Sequence, residues 1–224
     1  MEYFMINFQL ILKYLPFLIQ GAANTLYIAA FGCFLGFSLG TLLALAQTSS
    51  SRILKWLVSL YVTLIRGTPM LIQIAFFYYA IMPALGLNFA PITAAIIAIG
   101  MNSSAYISQI IRSGINSINK GQLEAARTLG LSTGQMIQYI ILPQAIRIVI
   151  PALGNEFITL IKDSSLAYTI GVVELYKQGI TMRSQTLDAM STYVGVALIY
   201  LIMTTSLSLC MSYVEKKMNV PTHN

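Results

Sequence analysis

Three polar side chains share one face of an otherwise apolar segment and could hold a charged solute there. Glu156, Thr159 and Asp163 follow one another at i, i+3 and i+7, a spacing that places side chains on one side of an α-helix. Two carboxylates about two helical turns apart suit a cationic side chain or an α-ammonium group. In a purely structural interpretation, Asp163 instead caps the turn after the helix, and Glu156 pairs with Arg147.

A second polar group lies in an earlier apolar segment. Asn102, Ser103 and Ser104 are consecutive, and at membrane depth they would offer hydrogen bonds to a solute. They could equally bond only to the backbone of their own helix. Arg66 also has two interpretations, since it could contact a solute or pair with a carboxylate or phosphate at the cytoplasmic side.

Catalytic chemistry has little support in the sequence. The single histidine, His223, is next to the C-terminus, and Cys33 and Cys210 lie in apolar runs without metal-ligand spacing. Gly36–Gly40 matches the G-x-S-x-G pattern, but its serine lies in a helical segment with no histidine in reach. The dipeptide Gly-Lys, which a phosphate-binding P-loop requires, does not occur. We therefore expect no catalytic residue, no metal site and no nucleotide cofactor on this chain.

The composition places these residues in a membrane protein. The 224 residues are 57% apolar and 9% charged, with a net charge of +6. An average soluble domain carries about 25% charged residues, so a soluble domain, a disordered chain and a coiled coil are excluded. A basic excess in so hydrophobic a sequence favours contact with membrane lipid over binding to nucleic acid. The composition predicts an all-α protein with several spans of about 20 residues.

The distribution of charge predicts where the spans lie. No charged residue occurs between Lys13 and Arg52 or between Arg66 and Arg112. The opening Met1–Pro16 mixes polar and apolar residues and predicts a helix on the membrane surface. We predict five membrane helices, roughly Thr25–Ala46, Leu57–Ile81, Ile92–Ile111, Met136–Ile161 and Ser191–Val214.

Small residues recur on one face of the first predicted span. Gly32, Gly36 and Gly40 are spaced at i+4, which lets a neighbouring helix approach closely. We expect this face to be a packing surface rather than part of a solute path.

Lysine and arginine are unequally distributed between the segments that join the spans. With the C-terminus in the cytoplasm, the cytoplasmic segments hold seven of these residues and the outer segments four. The positive-inside rule therefore predicts an N-terminus outside and a C-terminus inside the cell.

One polar segment is longer than a connection between spans requires. Residues 113–135 include a short predicted helix, about Lys120–Leu129, which Gly130 ends. Ala125 and Ala126 give this helix a flat surface, suited to docking in a groove of a soluble partner. An ordinary amphipathic connection would have a similar composition, and the pattern alone does not separate the two.

Several motifs resemble those of bacterial ABC-importer permeases. Glu124-Ala125-Ala126, followed by Gly130 and then Ile140-x-Leu142-Pro143, matches the family's EAA motif at every fixed position. Further segments resemble the polar amino-acid branch of the family, and the resemblance covers roughly residues 20–215. These segments are Pro143-Gln144-Ala145 through Pro151, Gly154-Asn155-Glu156 and Lys162-Asp163-Ser164-Ser165-Leu166. Arg66-Gly67-Thr68-Pro69, followed by Gln73, resembles the RGTP…Q signature of the family as a whole.

The resemblance implies a fold, partners and a location. Residues 1–224 would form one permease domain of the type I importer class, with five spans in the bacterial plasma membrane. Two such chains, identical or similar, would pair, and an extracytoplasmic substrate-binding protein would deliver the solute. ATP and Mg would be bound by a separate ATPase dimer, which residues 120–130 would contact as a coupling helix. The coupling residues would be Glu124, Ala125, Ala126, Gly130 and Pro143.

The resemblance also points to a solute path without fixing the solute. In the family, the part of the fourth span around Glu156 and Asp163 lines the path, and Thr159 and Asn102–Ser104 would add polar contacts. The carboxylates favour a cationic amino acid such as arginine, lysine or histidine, whereas residues 167–179 resemble permeases for cystine. The alternative function is a stand-alone secondary transporter or channel, for which a docking helix would serve no purpose.

Overall fold

The computed structural model describes residues 6–218, which form helices joined by short connections. The predicted all-α, polytopic fold is confirmed. The helices are α1 Phe8–Ala46, α2 Arg52–Arg66, α3 Met70–Ala84, α4 Pro91–Asn116, α5 Lys120–Thr128, α6 Thr133–Ile170, α7 Leu175–Thr186 and α8 Ala189–Lys217. α6 contains a π-helical turn, Ile137–Ile141, and ends in the 3-10 helix Ser164–Ile170.

Four of these helices are long and apolar enough to cross a membrane, namely α1, α4, α6 and α8. A fifth span is possible only if the bent pair of α2 and α3 crosses as one unit. The expectation of one continuous helix over Leu57–Ile81 is therefore wrong. The chain bends by 106° between Arg66 and Met70, because Pro69 is extended and cannot continue the helical hydrogen bonding.

The N-terminal segment also differs from its prediction. From Phe8 onward it is part of α1, a continuous helix of 39 residues that Asn7 caps at Leu10, and not a separate surface helix. Residues 1–5 of the predicted segment lie outside the described residues. At about 1.5 Å per residue, α1 is longer than a hydrocarbon core of about 30 Å. Its first turns pack through Leu10 and Tyr14 against α7 and α8, and this tertiary packing extends the helix.

Close packing of α1 against α4 positions the centre of the molecule. A Cβ atom added at Gly36 would lie 2.8 Å from Cβ of Ser103, closer than side chains tolerate. Gly32 and Gly40 approach Ile99 and Ile107 of α4 in the same way. The predicted packing face is confirmed, and it brings Ser103 against the backbone of α1.

Two prolines in long helices follow π-helical turns. Pro83 follows Phe77–Ile81 in α3, and Pro143 follows Ile137–Ile141 in α6. Proline lacks an amide hydrogen, and its ring collides with the carbonyl four residues earlier in a regular helix. The wider π turn moves that carbonyl away, so both helices continue through their prolines.

Candidate translocation site and coupling helix

Glu156 is held by the neighbouring helix α4. Its Oε1 atom accepts a hydrogen bond of 2.8 Å from the hydroxyl of Ser103, and Ser103 is fully buried. Arg147, the partner that the structural interpretation suggested, is exposed on α6. A carboxylate fixed by one hydrogen bond retains several acceptor positions, so Glu156 can still accept a hydrogen bond from a solute.

The other two residues of the predicted face of α6, Thr159 and Asp163, differ in exposure and in hydrogen bonding. Thr159 is exposed, and its hydroxyl donates to the carbonyl oxygen of Asn155 at 3.0 Å. Asp163 is half-buried and is the last residue before the 3-10 helix Ser164–Ile170. Its side chain makes no capping hydrogen bond at that helix. The capping alternative therefore has no support, and the Asp163 carboxylate stays available about two helical turns after Glu156.

The other two polar residues of α4 bond to the bent pair. Nδ2 of Asn102 donates to Oε1 of Gln73 at 2.8 Å, and the hydroxyls of Ser104 and Tyr61 are 2.9 Å apart. Ser104 also donates to the carbonyl oxygen of Met101 within α4. The three residues therefore do not bond only to the backbone of their own helix. Three consecutive residues of α4 thus hold three different segments. We call these six side chains the polar layer: Asn102, Ser103, Ser104, Gln73, Glu156 and Tyr61.

A fully buried carboxylate that sequence reasoning missed lies between α6 and α7. Glu174 caps α7, accepting from the backbone amides of Tyr176 and Lys177 at 2.7 Å each, and Tyr200 of α8 donates to it at 3.1 Å. Burial raises the pKa of the Glu174 carboxyl to about 7, although these hydrogen bonds oppose the shift. The only sequence signal was a lone glutamate before a helical pattern, which usually indicates a solvated cap.

The predicted coupling helix is α5, and it ends at Thr128, one residue earlier than predicted. Asn119 caps its start by accepting from the amide of Gly121 at 2.8 Å. Gly130 follows it in the left-handed conformation, with φ of +79°, which glycine adopts without steric cost. The short helix thus has a defined beginning and end, both set by local sequence.

The two faces of α5 differ in burial. Ala126 is 3% exposed, whereas Glu124 and Ala125 are exposed. Nearby, the side chain of Leu129 is 79% exposed. The helix therefore presents a charged and apolar surface away from the rest of the chain, as a docking element requires.

A hydrogen bond joins α5 to the start of α6. Nε2 of Gln144 donates to Oε1 of Gln122 at 2.7 Å, and Gln144 directly follows the exposed Pro143. Movement of α5 would thus reach α6 beside the π turn Ile137–Ile141.

Comparison with known proteins places this geometry in a family. Residues 36–220 match the family described as binding-protein-dependent transport system inner membrane component. The glutamine transport system permease protein GlnP of Escherichia coli (strain K12) is 40% identical, over 92% of this chain and 94% of that protein. The L-cystine transport system permease protein TcyB of Bacillus subtilis (strain 168) is 39% identical, over 91% of this chain and 87% of that one.

A solved structure shares the architecture. It is described as an amino acid ABC transporter with histidines, and its matching chain has a TM-score of 0.89 at 37% identity. The match covers 95% of this chain and 99% of the other. The bent pair, the polar layer and α5 therefore belong to a chain that has the fold of a transporter component.

Proposed function

Because the chain belongs to the family of binding-protein-dependent transport system inner membrane components, we propose that it forms the translocation path for one polar amino acid. The resemblance to the amino-acid ABC-importer permeases predicted from the EAA motif is confirmed, and the chain is a multi-pass protein of the inner membrane. Its fold and family make it a transport subunit. The solute, the residues that contact it and the partners are the proposal.

The solute site consists of Glu156 and Asp163, with Thr159, Asn102, Ser103 and Ser104 beside them. The observation that carries this assignment is the half-buried Glu156 carboxylate, which Ser103 orients without neutralising. Carboxylates in a membrane protein are costly unless they face a polar path or a partner. Every amino acid carries an α-ammonium group, so this pair can bind a solute with or without a cationic side chain.

The descriptions of the relatives point to three different classes of solute. GlnP is described as a glutamine permease, TcyB as a cystine permease, and the solved transporter contains histidines. Recognition of the α-ammonium group by Glu156 and Asp163 would be common to all of them. Side-chain selection would then come from the residues around this pair.

The driving force would come from partner chains. We infer that α5 docks on a separate ATPase, which binds ATP and Mg, through Glu124 and Ala125. Ala126 is buried within the chain and supports the helix from behind, and Gly130 and Pro143 shape the connection to α6. A second permease chain would pair with this one, and a substrate-binding protein would deliver the solute. The excess of Lys and Arg in the segments assigned to the cytoplasm supports an orientation with the N-terminus outside and the C-terminus inside the cell.

Uptake by proteoliposomes tests this proposal. The chain is reconstituted with its ATPase and binding protein, and entry of labelled glutamine, arginine and cystine is measured. We expect uptake of at least one of them that requires ATP and both partners. Uptake without any ATPase would instead favour a stand-alone transporter or channel. Competition then separates the classes, because arginine that leaves cystine uptake untouched excludes a cationic solute.

A further inference from the structure

The bend between α2 and α3 leaves the last carbonyl groups of α2 without helical partners, and three groups of the following segment satisfy them. The amide of Gly67 donates to Thr63 at 2.9 Å, and the hydroxyl of Thr68 donates to the carbonyl of Leu64 at 2.9 Å. Nε2 of Gln73 donates to the carbonyl of Ile65 at 2.7 Å. Hydrogen bonds donated by residues 67–73 therefore hold the bend in place.

Gln73 does more than cap α2. Its Nε2 group also lies 3.0 Å from the carbonyl oxygen and 2.7 Å from the hydroxyl oxygen of Thr68. Its Oε1 atom accepts from Asn102 of α4. One amide therefore joins the end of α2, the loop of the bend, the first turns of α3 and the middle of α4.

The same short stretch of α4 holds the bend at a second point. The guanidinium of Arg66, the last residue of α2, lies 5.3 Å from the ring centroid of Tyr106, within the range of a cation–π contact. Tyr106 is one helical turn after Asn102. Both sides of the bend are therefore tied to residues 102–106.

This stretch of α4 also holds Glu156, the carboxylate that is proposed to bind the solute. Ser103, the residue that bonds to Glu156, directly follows Asn102, the residue that bonds to Gln73. Both are buried, so neither can change partner without moving the helix. A displacement of Glu156 would therefore be transmitted through a single peptide unit to the amide of Gln73.

We propose that Gln73 is a positioning residue that ties the α2–α3 bend to α4, so that the bend and Glu156 change position together during transport. This inference rests on the proposed function. Gln73 does not bind the solute, because both ends of its amide are engaged within the chain. Gln73 also lines a half-open apolar pocket of about 310 Å³ together with Ile72 and Phe76 of α3 and Ala98 of α4.

A distance measurement tests the tie without any transport assay. Spin labels replace Leu57 and Leu85, which are 50% and 66% exposed, in a chain with Cys33→Ala and Cys210→Ser. We expect one narrow distance in the parent and a distribution about twice as broad in Gln73→Met, because a half-buried amide that forms several hydrogen bonds has been removed. Gln109→Met is the matched control, since among residues 6–218 the Gln109 side chain bonds only to its neighbour Ser108. A Gln73→Met distribution as narrow as that of the control would overturn the tie.

A transport measurement then tests the link to Glu156. In proteoliposomes that take up labelled amino acid, Gln73→Met should lower the number of solutes moved per ATP hydrolysed about tenfold. Asn102→Ala should do the same, and the double variant should be no worse than either single one. A merely less stable protein would lose total uptake but keep this ratio.

The two tests fail in distinguishable ways. If the parent transports nothing, the proposed function is wrong, while the spin-label result still decides whether Gln73 fixes the bend. If the parent transports normally and Gln73→Met keeps its ratio of solute to ATP, the proposed function stands and the inference about Gln73 falls. Additive losses in the double variant would also contradict a shared tie.

Discussion

The polar layer and the coupling helix α5 are built on opposite principles. In the polar layer, buried side chains of α4 form hydrogen bonds of 2.8 to 2.9 Å to α2, α3 and α6. In α5, order comes from the caps at Asn119 and Gly130, and Glu124 is exposed. The layer is organised by the chain itself, whereas α5 presents a surface that needs another polypeptide. Changes in the two regions should therefore damage different steps.

The largest effect is expected from Glu124→Arg in α5. Reversing a charge at a docking surface opposes association, so uptake should fall about 100-fold. Because Glu124 is exposed, the melting temperature of the isolated chain should not change. Uptake and ATP hydrolysis are measured together, with Glu215→Arg in α8 as the control. Normal uptake by Glu124→Arg would show that α5 is not the coupling element.

Glu156→Gln tests the polar layer from the side of the solute. Removing one charged hydrogen-bonding partner costs about 2 kcal/mol, so the solute concentration for half-maximal uptake should rise about 30-fold. Maximal ATP hydrolysis should stay close to that of the parent, which distinguishes this variant from Glu124→Arg. Glu215→Gln, the same substitution outside the layer, serves as the control. An unchanged half-saturating concentration would remove Glu156 from the solute site.

Two Gly→Ala substitutions compare the packing of the two regions directly. Gly36→Ala would place a methyl group 2.8 Å from Cβ of Ser103 and should destabilise the chain by about 1.5 kcal/mol. Gly134 lies next to the coupling segment, at the start of α6. Beyond its chain neighbours and the backbone of its own helix, no described atom lies within 4 Å of an added Cβ. Gly134→Ala should therefore be neutral or slightly stabilising. Thermal unfolding in detergent measures both, and equal melting temperatures would mean that α1 and α4 are not closely packed.

A smaller, pH-dependent effect is expected at Glu174. The pKa of its carboxyl rises from 4.5 to about 7 in the folded chain, so folding favours the protonated form. This contribution is complete below pH 4.5 and is lost as the pH rises through 7, amounting to about 1 kcal/mol between pH 6 and 8. Melting temperatures across that range should fall in the parent and stay flatter in Glu174→Gln. A parallel fall in both would assign the pH dependence to other groups.

The sequence predicted most of the helices because hydropathy and charge are properties of each segment alone. The break after Arg66 was missed for the same reason. Residues 57–81 carry one charge, Arg66, and are mostly apolar, but the turn chemistry of Gly67 and Pro69 overrides hydropathy there. The N-terminal half of α1 was missed because packing against α7 and α8, a tertiary effect, makes it part of the span.

The candidate site was predictable only in part. Spacing placed Glu156, Thr159 and Asp163 on one face, but it could not show that Ser103 holds Glu156 or that Asn102 holds Gln73. Those pairings depend on how α3, α4 and α6 pack together. Glu174 could not be found from sequence, because its pKa depends on burial against α1 and α8, and the residues around it give no periodic signal of burial.

The π turn at Ile137–Ile141 sets the direction, about the helix axis, in which all later side chains of α6 point. A π turn takes in one residue more than an α-helical turn, so the downstream helix is offset by about 100° from the phase of the upstream one. Deleting one residue from this turn would straighten the backbone and swing Glu156 away from Ser103. The length of this one turn therefore decides which way a carboxylate more than a dozen residues later points, and engineered chimaeras of this segment must conserve it.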